Sequence, residues 1–191
     1  MAVTTPSLSV EVLDQTRRLP EPALRWLAEH AEKAVRHLGA CGEVRVRIVD
    51  DLEMAQAHEE FAGVPGSTDV LTFDLTDPEA GPPPPMDRER GKLVEGLSVF
   101  GIDTDILACL DEANRQFRGV PGGTGVGSGV ERELLLYIVH GVLHCLGMDD
   151  HDEQAAAAMH QVEDAVLTGI GVGPVYAAGT RPESGSQGAS G

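Results

Sequence analysis

The stretch HGVLHCLGMDDH, residues 140–151, combines three histidines with a glycine that can end a helix. His140 and His144 are four residues apart, so on a helix their imidazoles lie on one face, about 5–6 Å apart at Cβ. Gly147 offers a place for the helix to stop and the chain to turn back, which would bring His151 to the same site. We therefore predict a metal site on a helix and the following turn, with His140, His144 and His151 as ligands. Three protein nitrogens leave a fourth tetrahedral position open, as in a catalytic zinc site.

Two further residues of this stretch bear on which reaction the predicted metal site could support and on which side chains bind the metal. Gly141 stands where zinc peptidases of the HExxH type carry the glutamate that acts as general base, which disfavours a peptidase and leaves the metal site intact. Cys145 follows His144 directly. Adjacent helical residues point about 100° apart, so we expect its thiol to face the core and not the metal.

Periodicity outside this stretch predicts the remaining elements. The predicted strands lie near 8–12, 44–48, 68–75 and 94–102, and the predicted helices near 20–38, 51–61, 104–117, 131–145 and 155–166. Asp50 or Asp51 is the expected N-cap of the second helix, and Asp103 or Thr104 that of the third. The order of elements indicates an α+β fold, with a small mixed sheet of about four strands packed with about five helices.

Length and composition predict a single domain at 1–177, followed by a disordered tail at 178–191 that is rich in Gly, Ser and Pro. Four consecutive prolines within 77–92 indicate a surface excursion. The glycine-rich segment 119–130 has no lysine in a phosphate-loop pattern, so we interpret it as a linker.

Charge and cysteine content bear on partners and location. The formal net charge of −17 argues against a broad basic surface for nucleic acid, so any such substrate must be held locally or delivered by a partner protein. Three widely spaced cysteines form no disulfide framework, and no apolar run is long enough for a membrane span. With no export signal at the N-terminus, we expect a cytoplasmic protein without membrane contact.

Two segments together resemble the YbeY family of bacterial endoribonucleases, which are rRNA maturation factors (UPF0054-type metalloproteins). These segments are HGVLHCLGMDDH and VDDLEMAQAHEEFAGVPGSTDVLTF, residues 49–73. The resemblance implies a zinc-dependent, single-strand-specific endoribonuclease with one Zn²⁺ per chain. It also implies a role in late maturation of the 3′ end of 16S ribosomal RNA and in ribosome quality control. The implied partners are single-stranded ribosomal RNA and the small ribosomal subunit with its associated proteins.

Besides Leu97 after Gly96, where the family often has Gly-Asp, the chain departs from the family pattern at two positions that bear on the site. The family places five residues between its second and third histidines, whereas six intervene here, so Asp150 occupies the usual position of the third ligand. A turn can absorb one residue and imidazole matches the family's ligand set, so we expect His151 as third ligand, with Asp150 as the alternative. Asp149 or Asp150 could then accept a hydrogen bond from a ligand N–H.

The second departure is Ala62, which replaces the arginine that follows the aromatic residue in the middle block. Another cation could substitute for its charge, and the candidates are Arg88, Arg90 and Lys92. If none does, the protein would be a catalytically weak, ribosome-associated zinc-binding assembly factor. A zinc metallopeptidase is the third and least favoured alternative.

Overall fold

A computed structural model describes residues 7–94, 99–117, 126–127 and 129–176 of the chain. The elements, in chain order, are β1 (Leu8–Asp14), α1 (Glu21–Leu38), β2 (Ala40–Val49), α2 (Asp51–Ala62), β3 (Val70–Asp74), β4 (Met86–Asp87), β5 (Lys92–Leu93), β6 (Phe100–Cys109), α3 (Leu110–Gln116), α4 (Val130–Cys145) and α5 (Glu153–Gly169). A 3₁₀ turn covers Pro78–Ala80.

The main sheet has four strands in the order β1-β2-β6-β3. Strands β1, β2 and β6 are parallel to one another, whereas β3 pairs antiparallel with β6. The sheet is therefore mixed, and with the five helices of the described residues the fold is α+β, as the sequence predicts. Strand β3 lies at one edge of this sheet, so among the described elements only one of its sides is paired.

Helix α4 lies at the centre of the core and positions the histidine motif. It packs against α1, α3 and α5 and also against β3 and β6, and nearly every residue from Leu134 to Val139 is shielded on all sides. A helix that is apolar all round is typical of a fully buried position. The two histidines come at its C-terminal end, where α4 passes the edge strand β3.

The other face of the sheet is covered in part by α2. Val49, Leu107 and Cys109 point to this face and form a second, smaller core with Met54 of α2. Their neighbours Ile48, Ile106 and Ala108 point to the main core, as the alternation of side chains along a strand requires.

One predicted boundary is wrong. The sequence predicts a strand at 94–102 and a helix capped by Asp103 or Thr104, but β6 continues to Cys109. Asp103 and Asp105 form ion pairs with Arg45 on the neighbouring strand β2, and they cap no helix. Helix α3 instead begins at Leu110, and the Cys109 sulfur accepts the Glu112 backbone N–H at 3.4 Å. Residues 95–98 of the predicted strand lie outside the described part of the chain.

Several local predictions are confirmed. Asp50 caps α2 by accepting the Glu53 backbone N–H, and α1 ends at Leu38, as predicted, before Gly39 with its left-handed φ of 84°. The prolines at 82–85 lie in neither helix nor strand, although the two-residue strands β4 and β5 that follow them were not predicted. The tail at 178–191 and residues 119–125 and 128 of the glycine-rich segment lie outside the described residues. Within the described parts, no helix has the length and apolar character that a membrane span requires.

Candidate metal centre

His140 and His144 stand one turn apart at the end of α4 and direct their Nε2 atoms toward each other. These two atoms are 3.0 Å apart, and the rings are nearly perpendicular, with an interplanar angle of 84°. Ligand atoms of a tetrahedral zinc ion with bonds of 2.0–2.1 Å lie about 3.3 Å apart. The predicted pair is therefore formed in the structure, at a separation suited to a shared cation.

The opposite nitrogen of each ring is held by a hydrogen-bond acceptor. His140 Nδ1 lies 2.8 Å from the Glu163 carboxylate, and His144 Nδ1 lies 3.1 Å from the Met148 carbonyl oxygen. An acceptor at Nδ1 requires the proton there, which leaves the lone pair of a neutral ring on Nε2. Two Nε2 lone pairs consequently converge on one point, which is the donor arrangement that a metal ion or a shared proton satisfies.

Glu163 is the functional residue that the sequence analysis missed. It lies on α5, has no exposed surface, and its second carboxylate oxygen has no hydrogen-bond partner among the described residues. A buried carboxylate behind a histidine ligand fixes the ring and increases its basicity toward a metal. One signal was available: Glu163 interrupts the apolar stripe formed by Met159, Val162 and Val166.

The two histidines differ in their proton affinity. Burial lowers the pKa of His140, but the hydrogen bond and charge of Glu163 outweigh burial, and Asp69 and Asp150 add to the effect, so this pKa lies above its ordinary value. Burial and the adjacent His140 lower the pKa of His144. The site therefore favours one positive charge next to Glu163 and disfavours a second.

The turn after α4 brings Asp150 to the histidine pair and leaves His151 outside. Oxygens of the Asp150 carboxylate lie 3.7 Å from His140 Nε2 and 3.9 Å from His144 Nε2. The side chain of His151 is 88% exposed, and its Nδ1 lies 3.3 Å from Asp149. The ligand atoms of His140, His144 and Asp150 all lie within 4.8 Å of one another.

A cavity of about 400 Å³ opens in front of the pair, between the edge strand β3 and α4. Its walls include Asp69, Asp74 and Asp150, and none of the described residues lining it is Lys or Arg. Such an acidic cavity favours a cation and disfavours an uncompensated phosphate. Cys145 also touches the cavity, but burial raises the pKa of its thiol to about 11, so it is protonated at neutral pH.

Gly141 allows α4 to approach the sheet. A Cβ atom at this position would lie 2.6 Å from the Thr72 hydroxyl on β3 and 3.0 Å from Ile106 Cδ1 on β6. The position that carries the glutamate in HExxH peptidases is therefore packed against the sheet and has no room for a side chain. This geometry supports the interpretation that the chain is not a peptidase of that type.

Gly141→Glu is expected to destabilise the protein by about 3 kcal/mol or more, because it overpacks the contact between helix and sheet and buries a charge without a partner. Urea unfolding measures this free energy. Gly101→Glu is the matched control, because a Cβ at Gly101 meets nothing within 4 Å. A Gly141→Glu protein as stable as the control would contradict this account of the packing.

The three cations proposed to replace the family arginine lie apart from the cavity wall. Arg88 lines a second groove, beside Gly147 and Asp149 of the turn that follows α4. Arg90 pairs with Asp87, and its carbonyl oxygen lies 2.9 Å from a ring nitrogen of His37. Lys92 belongs to the short strand β5, and Ala62 is the exposed last residue of α2.

Comparison with known proteins identifies the family. The family model for endoribonuclease YbeY matches residues 9–171 of this chain. Proteins named Endoribonuclease YbeY from Renibacterium salmoninarum and a Nocardioides species are 33% and 30% identical to it, over 163 and 161 residues. Each alignment covers 84% of this chain, and they cover 92% and 96% of the relatives. A protein of the same name from Micrococcus luteus is 28% identical over 165 residues, which is 85% of this chain and 92% of the relative. The chain therefore belongs to the YbeY family of endoribonucleases.

Proposed function

We propose that this protein is a zinc-dependent endoribonuclease specific for single-stranded RNA. One observation supports the metal most directly: the lone pairs of His140 and His144 converge at 3.0 Å while both Nδ1 atoms are held by acceptors. The donor set fits one zinc ion per chain, held by the two histidines and a third ligand from the turn at 149–151. Membership of the YbeY family supports RNA as the substrate.

The proposed cellular role is late maturation of the 3′ end of 16S ribosomal RNA together with ribosome quality control. We expect the protein to act in the cytoplasm on single-stranded ribosomal RNA, in contact with the small ribosomal subunit and its associated proteins. The net charge of −17 supports such an arrangement, because a chain this acidic gains little affinity for RNA from its own surface.

The residues of the site would have the following roles. A bound divalent ion supplies Lewis-acid polarisation of a phosphoryl oxygen and activation of a nucleophile. Glu163 holds His140 in one tautomer, and the Met148 carbonyl does the same for His144. The carboxylates of Asp69 and Asp74 repel phosphates that are not neutralised, so the cavity admits the strand only where the cation compensates its charge.

The test is cleavage of one RNA sequence offered as a single strand and as a duplex. We expect cleavage of the single strand alone, loss of activity after chelation, and recovery on addition of Zn²⁺. A His140→Ala protein purified in the same way controls for contaminating nucleases. Full activity in chelator-treated protein shown by elemental analysis to be free of metal would contradict the proposal.

A second candidate function is a catalytically weak, ribosome-associated zinc-binding assembly factor. Two observations favour it: Ala62 removes the family arginine, and no Lys or Arg is found among the described residues that line the cavity. In that case the protein would bind zinc and small subunits but leave the single-stranded RNA intact. A zinc metallopeptidase is the least favoured function, and the absence of turnover of a peptide library would exclude it.

A further inference from the structure

The turn after α4 is fixed by hydrogen bonds that determine which side chain faces the histidine pair. The Asp149 carboxylate accepts the backbone N–H groups of Asp150 at 2.7 Å and of His151 at 3.1 Å. Gly147 adopts a φ of 78°, which lets the chain reverse immediately after the helix. The Met148 carbonyl then accepts from His144, so the turn is tied to the same ring that it faces.

This turn directs Asp150 inward and His151 outward. The Asp150 carboxylate lies within 4 Å of both Nε2 atoms, whereas the His151 ring is 88% exposed and beside Asp149. The His151 ring is grouped with the exposed carboxylates of Asp149 and Asp150, whereas Asp150 alone of the turn is grouped with both His140 and His144. The carboxylate oxygen nearest to each ring is already within about 0.6 Å of the separation of about 3.3 Å that ligands of one zinc ion show.

We infer that Asp150, and not His151, is the third protein ligand, and that the resulting two-histidine, one-carboxylate set binds Mn²⁺ and Fe²⁺ better relative to Zn²⁺ than three histidines would. This inference rests on the proposed function only in requiring that the site holds a metal.

The selectivity follows from the chemistry of the donors. Carboxylate oxygen is a harder ligand than imidazole nitrogen and suits Mn²⁺, and two histidines with one carboxylate and open positions are the ligand set of non-haem Fe²⁺ sites. The carboxylate also adds a negative charge at the metal, next to the buried charge of Glu163 behind His140. Zn²⁺ still binds more tightly than Mn²⁺ by the usual order of divalent metals, but the ratio of the two affinities is smaller than at a site of three histidines.

The test is metal titration of the full chain after chelation, with Zn²⁺ and Mn²⁺ each measured against a chromophoric chelator. Asp150→Ala is expected to weaken Zn²⁺ binding about 100-fold or more, since even residues that only support a ligand contribute 10–100-fold. His151→Ala, the matched control on the same turn, is expected to change it less than about 3-fold. Asp150→His is expected to keep Zn²⁺ and to raise the ratio of Zn²⁺ to Mn²⁺ affinity at least about 10-fold.

Two outcomes would overturn the inference. Loss of metal in His151→Ala with retention in Asp150→Ala would show that His151 is the ligand. An unchanged ratio of Zn²⁺ to Mn²⁺ affinity in Asp150→His would contradict the inferred selectivity. Circular dichroism and thermal unfolding of each metal-free variant establish that it is folded. Because these titrations contain no RNA, a wild-type protein that binds metal through Asp150 and cleaves nothing contradicts the proposed function and leaves this inference standing.

Discussion

His144→Ala is expected to remove bound metal and to reduce cleavage of single-stranded RNA about 10³-fold or more. The substitution deletes one of the two converging Nε2 donors. Lewis-acid stabilisation by a bound metal lowers the activation barrier by several kcal/mol, and losing about 4 kcal/mol of it slows the reaction about 10³-fold. Elemental analysis of the purified variant and single-turnover cleavage measure the two effects. We expect less than about a tenth of the wild-type metal content, as follows from losing a direct ligand.

The control for this substitution is His58→Ala. His58 lies on α2, where its Nδ1 contacts the Gly66 carbonyl oxygen at 2.8 Å, and it does not line the cavity. This variant should keep wild-type metal content and cleavage rate. A His144→Ala protein that still binds stoichiometric metal and cleaves RNA at the wild-type rate would refute the site.

Glu163→Gln is expected to weaken metal binding about 10–100-fold, with little loss of stability in the metal-free protein at a pH above the folded-state pKa of His140. Gln can still accept a hydrogen bond from His140 Nδ1–H, but it lacks the negative charge that favours a cation at the site. Once His140 is neutral and no metal is bound, the Glu163 carboxylate is a buried charge with only the hydrogen bond from His140, so its removal costs little stability.

The pH dependence of this variant has a definite sign. Glu163 raises the pKa of His140 above its ordinary value of 6.5, so the stability gained from protonated His140 is present below pH 6.5 and is lost as the pH rises through the higher folded-state pKa. The difference in free energy of unfolding between metal-free wild type and Glu163→Gln should therefore change against the wild type as the pH rises. Urea unfolding of both proteins at pH values below and above 6.5 measures this difference, with Glu153→Gln at the exposed start of α5 as control.

For metal binding, a Glu163→Gln protein that binds metal as tightly as wild type would show that Glu163 does not support the His140 ligand.

The histidine pair was predictable because both residues belong to one helix. Spacing of four along a helix fixes the neighbourhood of two side chains whatever the rest of the fold does. The role of Glu163 was not predictable in this way, since it depends on how α5 packs against α4, and the two residues are 23 positions apart in the chain. A charge within an apolar stripe is the local sign of such a contact.

The misplaced boundary at β6 has a similar cause. Asp103 has the side chain of a good helix N-cap, and local sequence cannot tell that use from an ion pair with a neighbouring strand. In the folded protein it pairs with Arg45, which lies 58 positions away in the chain. Local patterns thus determined the type of the longer elements, whereas contacts between distant segments determined this boundary.

The turn at 149–151 shows the limit of spacing arguments for the third ligand. A shift of one residue in a tight turn reverses the direction of a side chain, so counting residues after His144 leaves both Asp150 and His151 as candidates. Asp149 resolves the direction in the structure because its carboxylate accepts the backbone N–H groups of both residues. The His151 ligand remains a prediction from sequence, and the geometry favours Asp150.

Anomalous diffraction at the zinc absorption edge, from crystals of the zinc-loaded protein, tests the central claim most directly. We expect one strong peak per chain, within bonding distance of His140 Nε2, His144 Nε2 and an Asp150 carboxylate oxygen. No peak at the histidine pair, or a peak held only by the exposed Asp149, Asp150 and His151 group, would contradict the claim that this end of α4 is a metal centre.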